Sequence, residues 1–207
     1  MKVILLAVLT LSTWIAQAQV TGPQIAQQAA ALLETERNSI SVFKNSVDSV
    51  VNVSNLQIAR RGFFDMDPTE VPAGAGSGFV WDDQGHIVTN YHVIQGGDRF
   101  VINYHNDSKQ YEATVVGAEP RKDIAVLKVQ NPPSAKRAIP IGSSNLLQVG
   151  QKALAIGNPF GLDHTLTVGI ISALERKIQG IGGVKIHGMI QTDCSINPGN
   201  SGGPLID

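Results

Sequence analysis

Residues 78–93 read Gly78-Phe79-Val80-Trp81-Asp82-Asp83-Gln84-Gly85-His86-Ile87-Val88-Thr89-Asn90-Tyr91-His92-Val93. Apolar residues on either side of Asp-Asp-Gln-Gly mark two short strands joined by a turn, and the second strand runs into a tight bend. A rigid hairpin of this kind delivers His92 at its end. The same grammar extends along the chain, with strands predicted at 77–81, 86–89, 99–104, 111–118, 124–129, 152–156, 166–173 and 189–192. Turn signals such as Asn131-Pro132-Pro133 and Gly157-Asn158-Pro159 separate them. Strands so spaced, with few helical stretches between, argue an all-β barrel or sandwich rather than βαβ units.

Upstream, 47–53 reads as a strand, and 57–76 as a loop, from Asp67-Pro68, Val71-Pro72 and Ala73-Gly74-Ala75. Ile25, Ala29, Leu32, Leu33, Ile40, Phe43 and Val47 recur at helical steps, predicting a helix over 25–47. Met1-Lys2, an apolar run over 3–11 and Ala16-Gln17-Ala18 match a secretory signal cut after Ala18. An anchor needs about 20 apolar residues, and Ser12 and Thr13 end this run early. The expected division is a signal peptide over 1–18, a helical segment over 19–46, a first β half over 47–134 and a second over 135–207. The stretch 131–148 would link the halves. No internal repeat is visible.

Composition removes whole classes of function. A net charge of -1, from 16 basic and 17 acidic side chains, offers no general field for nucleic acid or an anionic membrane. One cysteine, Cys194, allows no internal disulfide and no zinc site built on cysteine pairs. No His-Glu-x-x-His or comparable spacing occurs, so neither metal nor cofactor is expected. No later segment is long and apolar enough to span a bilayer, so stable membrane insertion is not expected.

The tail Asn197-Pro198-Gly199-Asn200-Ser201-Gly202-Gly203-Pro204-Leu205 carries the most chemistry. Small residues around Ser201 permit a sharp turn and let a substrate carbonyl approach main-chain N–H groups, as an oxyanion hole requires. Gly199-x-Ser201-x-Gly203 also fits the nucleophile elbow of α/β-hydrolases. Those enzymes place acid and histidine after the serine, and no histidine follows Ser201. A serine hydroxyl needs a base. Of the five histidines, His92 has the hairpin context, while His86, His105, His164 and His187 read as ordinary surface or core imidazoles. The base needs an orienting acid. Asp123 opens a strand with an apolar pattern, and its alternative is a solvated charge paired with Lys122 or Arg121. The order His92, Asp123, Ser201 is that of chymotrypsin-type proteases, with base and acid in the first half and nucleophile in the second.

These residues resemble the marks of the HtrA/DegP family of trypsin-like serine proteases. So do Gly76-Ser77-Gly78-Phe79, Thr89-Asn90-Tyr91-His92-Val93 and Asp123-Ile124-Ala125-Val126-Leu127. Ala155-Ile156-Gly157-Asn158-Pro159-Phe160-Gly161, Thr167-Val168-Gly169-Ile170-Ile171-Ser172-Ala173 and Gln191-Thr192-Asp193 complete the colinear set. The resemblance implies a chymotrypsin-like double β-barrel, with His92 as base, Asp123 as orienter and Ser201 as nucleophile. It also implies an oxyanion hole at Gly199, Asn200 and Ser201, and a specificity pocket lined in part by Ser195, Ile196 and Asn197. None of those three is acidic, which gives no basis for preferring Lys or Arg. Arg176 resembles a loop arginine that senses regulatory domains, and otherwise is a solvated charge. Phe63 and Phe64 are candidates for trimer contacts, and otherwise pack across their own barrel.

The implied function is cleavage of unfolded or misfolded polypeptides, in the periplasm or after secretion, by a homotrimer. Cys194, where the family often carries alanine, reads as a small-residue swap in a buried strand. The chain stops at Leu205-Ile206-Asp207. The expectation is therefore an incomplete second barrel, no PDZ domain and a serine on a nearly free terminus. The competing function is a weakly active or inactive fragment that binds unfolded chains as a chaperone does.

Overall fold

The computed structural model describes residues 32–59, 69–134, 137–161, 163–179 and 185–207. The expected signal segment 1–18, most of the helical stretch before residue 32, and Phe63 and Phe64 lie outside the described residues. Contacts divide the chain into two units, Met1–Arg37 and Asn38–Asp207. The described part of the first unit holds the opening of helix α1 (Glu34–Ser46), where the Leu33 N–H donates to the Glu36 carboxylate at 2.7 Å. Glu34 and Glu36 in the first turn and Lys44 in the last suit the helix dipole. The strand expected from Val47 begins later, because Val47–Ser49 continues the helix as a 3-10 turn.

The second unit is built of antiparallel β-structure. Strands β1 (Val50–Ala59), β2 (Thr69–Val80), β3 (His86–Thr89), β4 (Arg99–Tyr104), β5 (Gln110–Glu119) and β6 (Ile124–Val129) close a barrel in the order β1-β2-β3-β6-β5-β4. Closure gives each of these strands a neighbour on both sides over at least part of its length. In β6 every second residue faces inward, and Ala125, Leu127 and Val129 meet Val51, Val53, Ile87 and Ile102 in the core.

Of the loop expected over 57–76, the described residues 57–59 and 69–76 are strand. β1 and β2 form one long ribbon, with Leu56 opposite Pro72 and Ile58 opposite Glu70 beyond a register shift at Asn55. Pro and Gly suggested a loop, yet β2 pairs with β3 only at Phe79 and Val80. Its earlier residues have a free side on which proline removes no ladder bond.

The second sheet holds β7 (Lys152–Gly157), β8 (Thr165–Gln179), β9 (Lys185–Thr192) and β10 (Leu205–Ile206), ordered β10-β7-β8-β9. β7 is buried from Ala153 to Gly157. One face joins Ile171 and Cys194, and the strand also packs on β1 and β2 of the barrel. Apolar residues on both faces follow from that sandwiching. Between the halves, the Ile139 N–H donates to the Val80 carbonyl at 3.0 Å, so the expected linker is stitched to the barrel. A cavity of about 560 Å³ lies between this segment and β10, lined in part by Val42, Ile139, Leu147 and Ile206.

Ser201 does not sit on a nearly free terminus. Leu205 and Ile206 pair with Ala155 and Leu154, and Gln151 donates to the Asp207 carboxylate at 2.5 Å. Cys194 is buried as expected, but in the bend after β9 rather than in a strand, where its thiol donates to the Ala153 carbonyl.

Leu127 is 0% exposed at the barrel's centre. Leu127→Ala is expected to lower the unfolding free energy by about 2–5 kcal/mol, read from urea denaturation, through lost transfer energy and the cavity left behind. Burial pushes the Tyr104 phenol up to about 12. A raised folded-state value favours folding below the unfolded value, near 10, and that contribution is lost as pH rises through about 12. Tyr104→Phe should flatten this alkaline loss in pH-dependent melting.

Candidate active site

The hairpin before His92 is fastened at its turn. Asp82 accepts the Gln84 and His86 N–H groups at 3.0 and 3.1 Å, and its other oxygen meets His86 Nδ1 at 2.6 Å. Desolvation raises the Asp82 carboxyl, but the bonds and charge of His86 outweigh it and leave the group below its ordinary value. β3 then feeds one helical turn, α2 (Tyr91–Ile94), which carries His92 on its exposed side.

Asp123 is bound to that turn through four contacts. Its carbonyl accepts from Asn90 Nδ2 at 2.8 Å and the Tyr91 N–H at 3.1 Å. Its carboxylate accepts the His92 N–H at 2.9 Å and faces His92 Nδ1 at 2.7 Å. The residue caps the 3-10 turn Pro120–Lys122 in the left-handed region (φ 55°, ψ 41°), which aspartate tolerates better than most residues. It therefore precedes β6 instead of opening it, and its partner is His92 instead of Lys122 or Arg121. With a carboxylate at Nδ1, the ring carries its proton there and presents the Nε2 lone pair.

Ser201 lies on a turn that only glycines can make. Gly199 and Gly202 have φ of +113° and +85°, outside ordinary L-residue space. A Cβ at Gly202 would collide with the Ser77 carbonyl and stand 3.0 Å from the Asn90 N. The serine turn thus lies directly against the segment that bears His92. The Ser77 N–H donates to the Ser201 carbonyl at 2.8 Å, while Thr89 Oγ1 donates to the Ser77 carbonyl at 2.6 Å. Among the described residues no hydrogen bond joins Ser201 Oγ to His92, and the N–H groups of Gly199 and Ser201 donate to nothing. Two amides on one turn beside a hydroxyl are what an oxyanion of acyl transfer needs.

Ser195, Ile196 and Asn197 form an exposed loop before the turn. Asn200 braces it, donating from Nδ2 to the Ser195 carbonyl at 2.9 Å and accepting the Asn197 N–H at 3.0 Å. Arg176 is not in a loop. β8 runs on to Gln179 past the expected end at residue 173, and β9 starts at Lys185 rather than near 189. Arg176 pairs with Met189 across these strands and donates from Nε to Gln191 at 2.9 Å. The ladder shifts register repeatedly here, which erased the alternation that marks strands. The four remaining histidines lie elsewhere, His86 on Asp82, His105 on Asp48, His164 on the Val50 carbonyl and His187 exposed on β9. No group of three or more His, Cys, Asp or Glu among the described residues is arranged to hold a metal ion.

Sequence reasoning missed the residues behind the site. Asn52 Nδ2 donates to the Asn158 carbonyl at 3.0 Å and the Gly76 carbonyl at 3.3 Å, although Asn52 sits on β1 and is 2% exposed. The one available signal was a polar residue in the middle of Val50-Val51-Asn52-Val53. A buried amide there requires partners.

Comparison with known proteins is consistent in sequence and in structure. The trypsin-like peptidase domain matches residues 76–207. Protease Do-like 1, chloroplastic, of Arabidopsis thaliana is 52% identical over 173 residues, which is 83% of this chain and 39% of that protein. A probable periplasmic serine endoprotease, DegP-like, of Chlamydia trachomatis is 44% identical over 142 residues, 68% of this chain and 27% of that one. The chain thus spans well under half the length of these relatives. The crystal structure of Deg5 superposes with a TM-score of 0.68 at 39% identity, covering 85% of this chain and 82% of that one.

Asp123→Asn keeps the shape of the side chain but turns an amide toward His92. Labelling of Ser201 by a fluorophosphonate, followed by mass spectrometry, is expected to slow on the order of 10⁴-fold, because the imidazole is held in the wrong tautomer.

Proposed function

The chain belongs to the trypsin-like peptidase family, and from that premise we propose that it is a serine endopeptidase of the HtrA/DegP type. The observation that carries this reading is the contact of His92 Nδ1 with Asp123 at 2.7 Å, beside a glycine-built turn holding Ser201 and two amides that donate to nothing among the described residues. In the reaction, Ser201 Oγ attacks the scissile carbonyl while His92 Nε2 takes its proton. Asp123 holds the imidazole in place and supports the imidazolium. The carbonyl oxygen gains the negative charge and lies between the Gly199 and Ser201 N–H groups, with Asn200 between them as the brace. Collapse expels the amine, which receives the proton from His92 and leaves an acyl-enzyme. Water then attacks by the same route in reverse roles.

Residues 47–134 would supply base and acid, and 135–207 the nucleophile. Exposed Ser195, Ile196 and Asn197 offer no carboxylate, which gives no basis for preferring Lys or Arg, and the family resemblance points to small aliphatic side chains instead. Unfolded or misfolded polypeptides fit this reading as substrates, since an open site beside strand edges takes extended chains. Export into the periplasm or medium follows from the N-terminal signal pattern. Relatives named for the periplasm and for the chloroplast both occur, so the compartment is assigned from this sequence. Homotrimeric assembly belongs to the same reading. No helix among the described residues is long and apolar enough to cross a membrane.

Purified protein should degrade an unfolded polypeptide and take up one fluorophosphonate at Ser201, and Ser201→Ala should abolish both. Cleavage that survives the substitution would refute the assignment. Suppression of aggregation that is indifferent to it, with no cleavage by the parent chain, would favour the binding function instead.

A further inference from the structure

The Ser77 hydroxyl is enclosed at 0% exposure of the residue. It donates to the Gly199 carbonyl at 2.5 Å and accepts the Asn158 N–H at 2.8 Å. With its main-chain N–H on the Ser201 carbonyl at 2.8 Å, Ser77 grips carbonyls at both ends of Gly199-Asn200-Ser201. The consequence falls on one peptide group. In the Gly199–Asn200 link the oxygen is held by Ser77 Oγ, and the N–H is held by the Asn197 carbonyl at 3.2 Å. That plane cannot turn without breaking both bonds. The Gly199 and Ser201 amides, which donate to nothing among the described residues, stand immediately on either side of it.

We infer that Ser77 is a positioning residue, whose hydroxyl fixes the Gly199–Asn200 peptide from the opposite barrel and so aims the two flanking amides at the developing oxyanion. This rests on the peptidase reading, and it adds a residue that is not one of the base, acid or nucleophile. The anchor is itself rigid. Thr89 Oγ1 holds the Ser77 carbonyl at 2.6 Å, and Asn52 ties the neighbouring Gly76 carbonyl to the Asn158 carbonyl. A hydroxyl needed only as acceptor for Asn158 would have no reason to present its proton to the serine turn. Because the oxyanion forms only on the way to the tetrahedral intermediate, its amides matter to the transition state and little to substrate binding.

The test compares Ser77→Ala, Ser77→Thr and Ser77→Cys with the parent chain. Leu127→Ala serves as a control that loses stability without touching the site. Hydrolysis of an unfolded substrate and inhibition by a peptide boronate, a mimic of the tetrahedral state, are the readouts. Ser77→Ala should lower kcat about 10–100-fold with KM little changed, and weaken the boronate by the same factor. Ser77→Thr, which keeps the hydroxyl, should recover most of both, and the weakly donating thiol of Ser77→Cys should fall between. Leu127→Ala, assayed well below its melting point, should keep the parent kcat. A folded Ser77→Ala protein with parental kcat, or one that loses kcat while binding the boronate undiminished, overturns the inference.

Amide hydrogen exchange at Asn200 separates this from the peptidase reading. In a Ser201→Ala background, Ser77→Ala should speed that exchange about tenfold or more, because the pinned plane is released. Unchanged exchange overturns the pin whatever the activity. Accelerated exchange in that background, together with a parent Ser201 chain that cleaves nothing, supports the pin and removes the peptidase reading.

Discussion

The barrel and the second sheet are held in register by buried hydrogen bonds that cross the seam between them. Asn52 on β1 and Ser77 on β2 are enclosed at 2% and 0% exposure, and both find partners across that seam. Asn52 donates to the Asn158 carbonyl, and Ser77 bonds the Asn158 N–H and the Gly199 and Ser201 carbonyls. Apolar packing alone would tolerate small slides of one sheet over the other. Buried polar groups do not, since each unmade bond costs about 1–3 kcal/mol. The relative placement of hydroxyl and imidazole inherits its precision from these bonds.

That constraint also accounts for the glycines. Gly199 lies where a Cβ would come within 2.5 Å of Pro159, and Gly202 where one would strike the Ser77 carbonyl. The serine turn is pressed against main chain from both halves, and a side chain at either point would lever it away. On the other side of the seam, Asp123 uses its carbonyl and its carboxylate to bind α2. Base and acid thus move as one body with the barrel, and the nucleophile is the part that must be brought to them. The proposed chemistry depends on that meeting.

The barrel strands were legible because one face of each meets a closed core, so alternation survives in the residues, as in Ala125, Leu127 and Val129. The ribbon of β1 and β2 was not, because its outer part has no second neighbour and admits Pro72 and a run of small residues. The far ends of β8 and β9 were hidden by register shifts, which is why Arg176 read as a loop residue. His92 and Asp123 were found from context, and their contact could only be expected. The role of Ser77 was not legible, since nothing in Gly76-Ser77-Gly78 says which carbonyl the hydroxyl meets.

By itself the sequence settled the class of fold, the order of histidine, acid and serine, and the glycine setting of Ser201. Those properties are local, written in periodicity, turn chemistry and small residues. Tertiary structure decided which polar groups meet across the seam, which peptide is pinned, and that the residues after the serine turn pair with β7. These depend on where chain segments more than a hundred residues apart come to rest, as Asn52 and Asn158 do. No local pattern encodes such a meeting, because it is fixed only when both barrel and sheet have formed and every buried donor has found its acceptor.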